Sequence, residues 1–171
     1  PICLEASSNR EICEPANLNV REQIVVSGTT AGVEKACAIA TAKGAKKTIH
    51  LNVSAPAHSQ LMLPAADRLA ELISQIDFST PKIKVVHNYD VDTHADPERI
   101  KTVLVKQMTN PVRWYEIVEY LASSGIEQII ECGPGKVLSG LVKRTAKHIQ
   151  CISGENLTAV CESLVETEAQ T

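Results

Sequence analysis

No G-x-S-x-G stretch occurs anywhere in the 171 residues, so the chain lacks the strained strand-to-helix elbow that exposes a serine nucleophile. It also lacks any run of 18 apolar residues, which excludes a membrane-spanning helix. A net charge of −3 gives no basic footprint for nucleic acid or for an anionic membrane. The six cysteines, at 3, 13, 37, 132, 151 and 161, include no C-x-x-C pair. Their scatter fits neither a zinc site nor a dense disulfide framework, and free thiols in a reducing compartment are expected. No basic segment followed by an apolar one opens the chain, so nothing reads as targeting and a cytoplasmic protein is the expectation. There is no initiator methionine at Pro1, and a start within a helix-like stretch leads to the expectation of a truncated chain.

With 44% hydrophobic and 22% charged residues, the chain has the composition of an ordinary globular protein with one core or two small ones. The first fifty residues read as strand, strand, helix, strand, at 11–17, 23–27, 30–43 and 47–53, with Gly28 and Gly44 at the joins. In that helix Val33, Ala36, Cys37 and Ala40 form a modest apolar stripe of small residues, suited to lying close on a thin sheet. The order is that of a split β-α-β, ferredoxin-like subdomain whose first strand would precede residue 1.

From residue 54 onward, longer helices alternate with single strands, as in helices packed on a mostly parallel sheet. Leu69, Leu72, Ile73 and Ile76 form one helical stripe, with Pro64 in its opening turn. A strand is expected at 82–88. Asp96 and Pro97 open a helix carrying Ile100, Val103, Leu104 and Gln107, which Pro111 stops. Asn110 and Pro111 are read as opening the next helix in the same way, with Trp114, Ile117, Val118 and Leu121 inward. A buried strand at 126–132 turns through Gly133-Pro134-Gly135 into a helix bearing Val137, Leu138, Leu141 and Val142. Residues 149–152 read as an edge strand, 156–165 as a closing helix and 166–171 as a frayed tail.

His58 stands in a small-residue turn, Ser54-Ala55-Pro56-Ala57-His58-Ser59, between a strand and an amphipathic helix. The ends of strands in open α/β sheets gather ligands, and a neutral imidazole there can act as a general base. The plainer reading of a lone histidine is structural. A base also needs an acceptor for its other ring nitrogen. Asp67, Asp90, Asp92 and Asp96 qualify by type and a backbone carbonyl would serve as well, a choice the residues leave open. Cys132 before the glycine-rich turn is a weaker nucleophile candidate, since cysteine is commonly a small buried apolar residue. Gly133-Pro134-Gly135-Lys136 fails as a phosphate loop because Ile130 and Val137 stand where glycine and Ser or Thr are needed. His87 with His94, and Cys151 with His148, have no third ligand at sensible spacing, so no metal is expected. Lys43, Lys46 and Lys47 read as a solvated loop, or as a docking patch for an acidic partner.

Taken together, Pro15-Ala16-Asn17-Leu18-Asn19 with Gln23-Ile24-Val25-Val26-Ser27-Gly28, the His58 turn through Leu61-Met62 and Pro64-Ala65, Gln107-Met108-Thr109-Asn110-Pro111-Val112-Arg113-Trp114, and Glu131-Cys132-Gly133-Pro134-Gly135-Lys136-Val137-Leu138 closely resemble the malonyl-coenzyme A:acyl carrier protein transacylases of bacterial fatty-acid synthesis. The resemblance implies the carboxy-terminal part of an α/β-hydrolase-like acyltransferase core (residues 54–171) joined to most of a ferredoxin-like small subdomain (residues 1–53).

It further implies transfer of malonyl from malonyl-CoA to the phosphopantetheine thiol of acyl carrier protein through an acyl-serine. His58 is then the base, and the main-chain carbonyl at Gln107 its orienter. No cofactor is implied. The family's Gly-Gln-Gly-Ser-Gln loop, Gly-His-Ser-x-Gly elbow and malonyl-binding arginine would precede Pro1, so the partners include the missing amino-terminal half and the chain alone is expected to be inactive. Ala57 matches a position that varies in the family and bears on acyl choice, and Cys132 stands where an aliphatic residue is usual. The alternatives are a non-catalytic carrier-protein docking module or remnant, and a cysteine hydrolase using Cys132 with His58.

Overall fold

A computed structural model describes residues 1–154, which form a mixed α/β structure. The expected helix at 156–165, the tail at 166–171 and Cys161 lie outside the described residues. The chain divides into two compact units, Pro1–Trp114 and Tyr115–Thr171. Among the described residues no helix is long and apolar enough to cross a membrane.

The first unit opens with α1 (Ile2–Ala6), β1 (Cys13–Val20), β2 (Gln23–Gly28) and α2 (Thr30–Ala42). β1 and β2 form an antiparallel hairpin whose register runs from Cys13 opposite Gly28 to Val20 opposite Gln23. The pairing is irregular between Pro15 and Asn17, where proline has no N–H to give the ladder. The small core is built from Ala6, Cys13 and Ala36, with Ile2, Cys3, Val26 and Ile39 against it. Burial and the neighbouring Cys3 push the Cys13 thiol up to about 12, so it stays protonated and packs as a small apolar group. Cys3, Cys13, Cys37, Cys132 and Cys151 are all free thiols.

Close approach at the hairpin's end depends on glycine. A Cβ on Gly28 would fall 1.9 Å from the Ile12 carbonyl oxygen, and one on Gly32 would fall 2.4 Å from it. Thr29 lies between them. Its N–H donates to the Ile12 carbonyl at 2.9 Å, and its hydroxyl accepts from Gly32 N–H at 3.2 Å to cap α2.

After a 3-10 turn at Gln60–Met62 the chain runs into α3 (Leu63–Ser74), and later into α4 (Pro97–Lys106). The local signals behave as expected in α4: the Asp96 carboxylate accepts from Glu98 N–H and Arg99 N–H, and Pro97 takes the first helical position. α3 and α4 pack on each other. Ile73 is buried, but Leu72 and Ile76 of the expected stripe are exposed.

Three expectations for this unit are corrected. Residues 47–53 form no strand, and Ile49, Leu51 and Val53 are each more than half exposed. Residues 82–88 contribute only a bridge from Val86 to Thr93, with Ile83 and Val85 exposed. Both stretches carry strand-type sequence, but among the described residues nothing runs alongside to complete a ladder, and strands are stabilised by neighbours. Asn110 and Pro111 do not open a helix either. Val112 donates to the Ala16 carbonyl at 2.9 Å and accepts from Leu18 N–H at 2.8 Å, which keeps the backbone extended beside β1 until Trp114.

α5 (Trp114–Ser123), which but for its first residue belongs to the second unit, buries Ile117 and Val118. Then β3 (Gln128–Glu131), α6 (Val137–Thr145) and β4 (Gln150–Ser153) make a β-α-β unit with parallel strands. Leu141 and Val142 of α6 are buried, whereas Val137 and Leu138, expected on the same stripe, are exposed. The buried Glu131 closes the glycine-rich turn. Its carboxylate accepts from Leu138 N–H at 3.0 Å, from Ser139 N–H at 2.8 Å and from the Ser139 hydroxyl at 2.5 Å. The Ser139 hydrogen bond is the main cause that holds this carboxyl below its ordinary range, against the opposing effect of burial.

Two measurements check this packing. Gly28→Ala should destabilise the protein by about 1–3 kcal/mol in urea unfolding, because backbone rather than a flexible side chain must move. For Glu131 the native pKa is lowered, so its contribution is full above the unfolded value of about 4.3 and is lost as pH falls through the native value. Glu131→Gln should therefore cost about 1–3 kcal/mol at neutral pH, with the gap to the parent protein narrowing as unfolding is repeated below pH ~4.

Candidate active site

His58 adopts a left-handed backbone, φ 62°, which costs a non-glycine residue roughly 1–2 kcal/mol. Neighbouring hydrogen bonds hold it there. The hydroxyl of the fully buried Ser59 donates to the Pro56 carbonyl at 2.7 Å. Gln60 N–H donates to the Glu14 carboxylate at 2.6 Å, and the Gln60 side-chain amide donates to the Thr109 carbonyl at 3.3 Å. The turn is thus pinned to β1 on one side and to the segment after α4 on the other.

The imidazole itself reaches that segment. Nδ1 lies 2.8 Å from the Gln107 carbonyl oxygen and 3.1 Å from that of Asn110. Both partners can only accept, so Nδ1 carries the proton and Nε2 is left with its lone pair. Gln107 is the C-cap of α4. Its carbonyl is one of those a helix leaves without an internal partner, and the helix end carries partial negative charge. The Asn110 side chain takes up another, donating to the Lys106 carbonyl at 2.8 Å. A half-buried imidazole with one nitrogen tied to two carbonyls and the other basic is equipped to accept a proton and to remain in place as a cation.

None of the four aspartates orients the ring. Asp67 is exposed on α3. Asp90 binds His94 Nε2 at 2.8 Å and the Arg99 guanidinium at 3.2 Å. Asp92 accepts from Thr93 N–H, and Asp96 caps α4. His94 stacks on His87 with ring centroids 5.5 Å apart. Burial and that neighbour hold His87 below the usual imidazole range, against Asp90. Among the described residues no group of three or more His, Cys, Asp or Glu is arranged to hold a metal.

Most of the other candidates find structural explanations. Cys132 is exposed, not buried as expected, and its only described contact is a weak one from Sγ to the Ile130 carbonyl at 4.0 Å. The amides at the start of α6 that would meet a phosphate are occupied by Glu131. Cys151 donates to Ser139 Oγ at 3.3 Å, and His148 is exposed. Lys43 is ion-paired with Glu5, while Lys46 and Lys47 are exposed. Sequence reasoning missed Asn110 as an acceptor, because Asn-Pro there reads as a helix start. It also missed Glu14, which lies 46 residues from Gln60 and has no local signal.

No protein-family model matches the chain. The malonyl CoA-acyl carrier protein transacylase of Salmonella typhimurium is 45% identical over 140 residues, covering 82% of this chain and 45% of that protein. The crystal structure of acyl-carrier-protein S-malonyltransferase from Burkholderia pseudomallei aligns with a TM-score of 0.85 at 49% identity, over 89% of this chain and 49% of that one. A malonyl-transacylase solved in complex with its type II PKS acyl-carrier protein aligns with a TM-score of 0.86 at 41% identity, over 89% and 49% respectively. The chain spans about half the length of these relatives. On this likeness in both sequence and fold, the chain belongs to the malonyl CoA-acyl carrier protein transacylase family.

Proposed function

We propose that this chain supplies the general base of a malonyl transfer from malonyl-CoA to the phosphopantetheine thiol of acyl carrier protein. The observation that carries the reading is the pair of carbonyls, Gln107 and Asn110, on Nδ1 of His58. His58 Nε2 takes the proton of a serine hydroxyl as that oxygen attacks the malonyl thioester, and gives it to the departing coenzyme A thiolate. It then takes the proton of the carrier's thiol as the sulfur attacks the acyl-serine, and returns it to the serine oxygen. The serine, the oxyanion-hole amides and the carboxylate-binding arginine belong to the half of the family's length that this chain does not span.

In the same reading, residues 1–53 are most of a ferredoxin-like subdomain and 54–171 the carboxy-terminal part of an α/β-hydrolase-like core. The β1–β2 hairpin with α2 and the β3–α6–β4 unit support it. So do the exposed apolar residues Ile49, Leu51, Val53, Ile83 and Val85, which alternate as in strands whose neighbours come from the rest of the enzyme.

The test combines the chain with the amino-terminal half of a relative such as the Burkholderia pseudomallei protein and follows radiolabelled malonyl onto carrier protein. His58→Ala should lower transfer by about 10²–10⁴-fold; near-normal transfer would sink the assignment. Gln107→Ala should leave transfer close to the parent rate, since the accepting oxygen is on the main chain. A loss as deep as that of His58→Ala would show that the Gln107 side chain acts instead.

A further inference from the structure

We infer that Glu14 is a positioning residue for His58, an inference that rests on the proposed role of His58 as the base. One residue, Ser59, separates the strained His58 from the 3-10 turn Gln60–Met62, whose first N–H groups have no helical acceptor. Ser59 is the natural cap for that turn, but its hydroxyl is committed to the Pro56 carbonyl and gives no cap. The acceptor comes from a different element. Glu14 on β1 places Oε2 2.6 Å from Gln60 N, a charge-assisted hydrogen bond at the partially positive end of a helical segment.

The same strand holds the other half of the pair. Ala16 and Leu18, two and four residues after Glu14, bond both backbone groups of Val112. Val112 lies two residues beyond Asn110, whose carbonyl accepts from the His58 ring. β1 therefore fixes the turn that carries the donor, through one side chain, and the corner that carries the acceptors, through its backbone. Without Glu14 the corner stays anchored, while the turn is held by the Ser59 hydroxyl bond, the longer one from the Gln60 side chain, the internal Met62 N–H to Ser59 carbonyl bond and the ring's own bonds, none of which ties its backbone to β1. Nothing in the hairpin itself calls for glutamate at position 14, a residue type disfavoured in strands, whose partner across β2 is Ser27.

Two readouts in the combined enzyme test the brace. With ring-15N histidine in this chain and His58 assigned by its loss in His58→Ala, the parent should show a single Nδ1–H tautomer for His58. Glu14→Ala should show a mixture, with kcat lower by about 10–100-fold and KM for malonyl-CoA unchanged. Glu14→Gln keeps an acceptor of the same reach and should recover most of both. If Glu14→Ala does not fold, Glu14→Ser replaces it, because serine is too short to reach Gln60. A single Nδ1–H tautomer with parental kcat in either variant would overturn the brace. The tautomer is read without any acyl transfer, so the brace can stand if His58→Ala proves fully active, and it can fail while His58 remains the base.

Discussion

The arrangement around His58 depends on where α4 ends. A helix leaves its last carbonyls without internal partners, and here one of those oxygens, at the C-cap Gln107, meets the imidazole. If α4 ran one turn further, the Gln107 carbonyl would be taken by its own helix and Nδ1 would lose its nearer acceptor. Two features prevent that. Pro111 cannot supply an N–H to continue the ladder, and Val112 is already paired with Ala16 and Leu18. Helix termination, usually a matter of stability, here sets the tautomer of the candidate base.

Orientation by main chain differs in kind from orientation by a carboxylate. A buried aspartate beside a histidine brings a charge that must be desolvated, and its substitution leaves the base in the wrong tautomer. A carbonyl at the helix end and a second one three residues beyond it provide negative potential without a formal charge, and neither depends on the side chain of the residue that bears it. This explains why a search for a carboxylate partner among Asp67, Asp90, Asp92 and Asp96 finds each one exposed or engaged elsewhere. It also moves the vulnerable positions from the acceptors to the residues that hold the backbone in place, among them Ser59, whose buried hydroxyl has a single described acceptor at Pro56.

What was legible in the sequence follows the range of the interactions. The cap at Asp96-Pro97, the Thr30–Ala42 helix and the Gln23–Gly28 strand rest on signals within a few residues of each other, and they appear where expected. Residues 47–53 and 82–88 fail for the opposite reason: alternation marks a segment fit for a sheet, but only a neighbour makes it a strand. α1 was reduced to a hint of helix because five residues carry little periodicity. His58 was visible from its type and setting. Its acceptor at Gln107 was reached only through the family resemblance, and the bond from Glu14 to Gln60 crosses two elements with no trace in spacing or composition.

The location of these contacts bears on how such a base becomes competent. Every described hydrogen bond that shapes the His58 turn comes from residues between Glu14 and Val112, inside one compact unit. The ring's proton is placed by carbonyls that are present whether or not a serine lies opposite, so arrival of the nucleophile has no need to reorganise the base. Preorganisation of that kind lowers the cost of proton transfer because the dipoles already point the right way. It also separates two requirements that a complete active site joins. The candidate base is made by a hairpin, a turn and a helix end within this chain, whereas the proposed transfer further calls for a nucleophile and oxyanion donors facing Nε2, the ring nitrogen that Gln107 and Asn110 leave free.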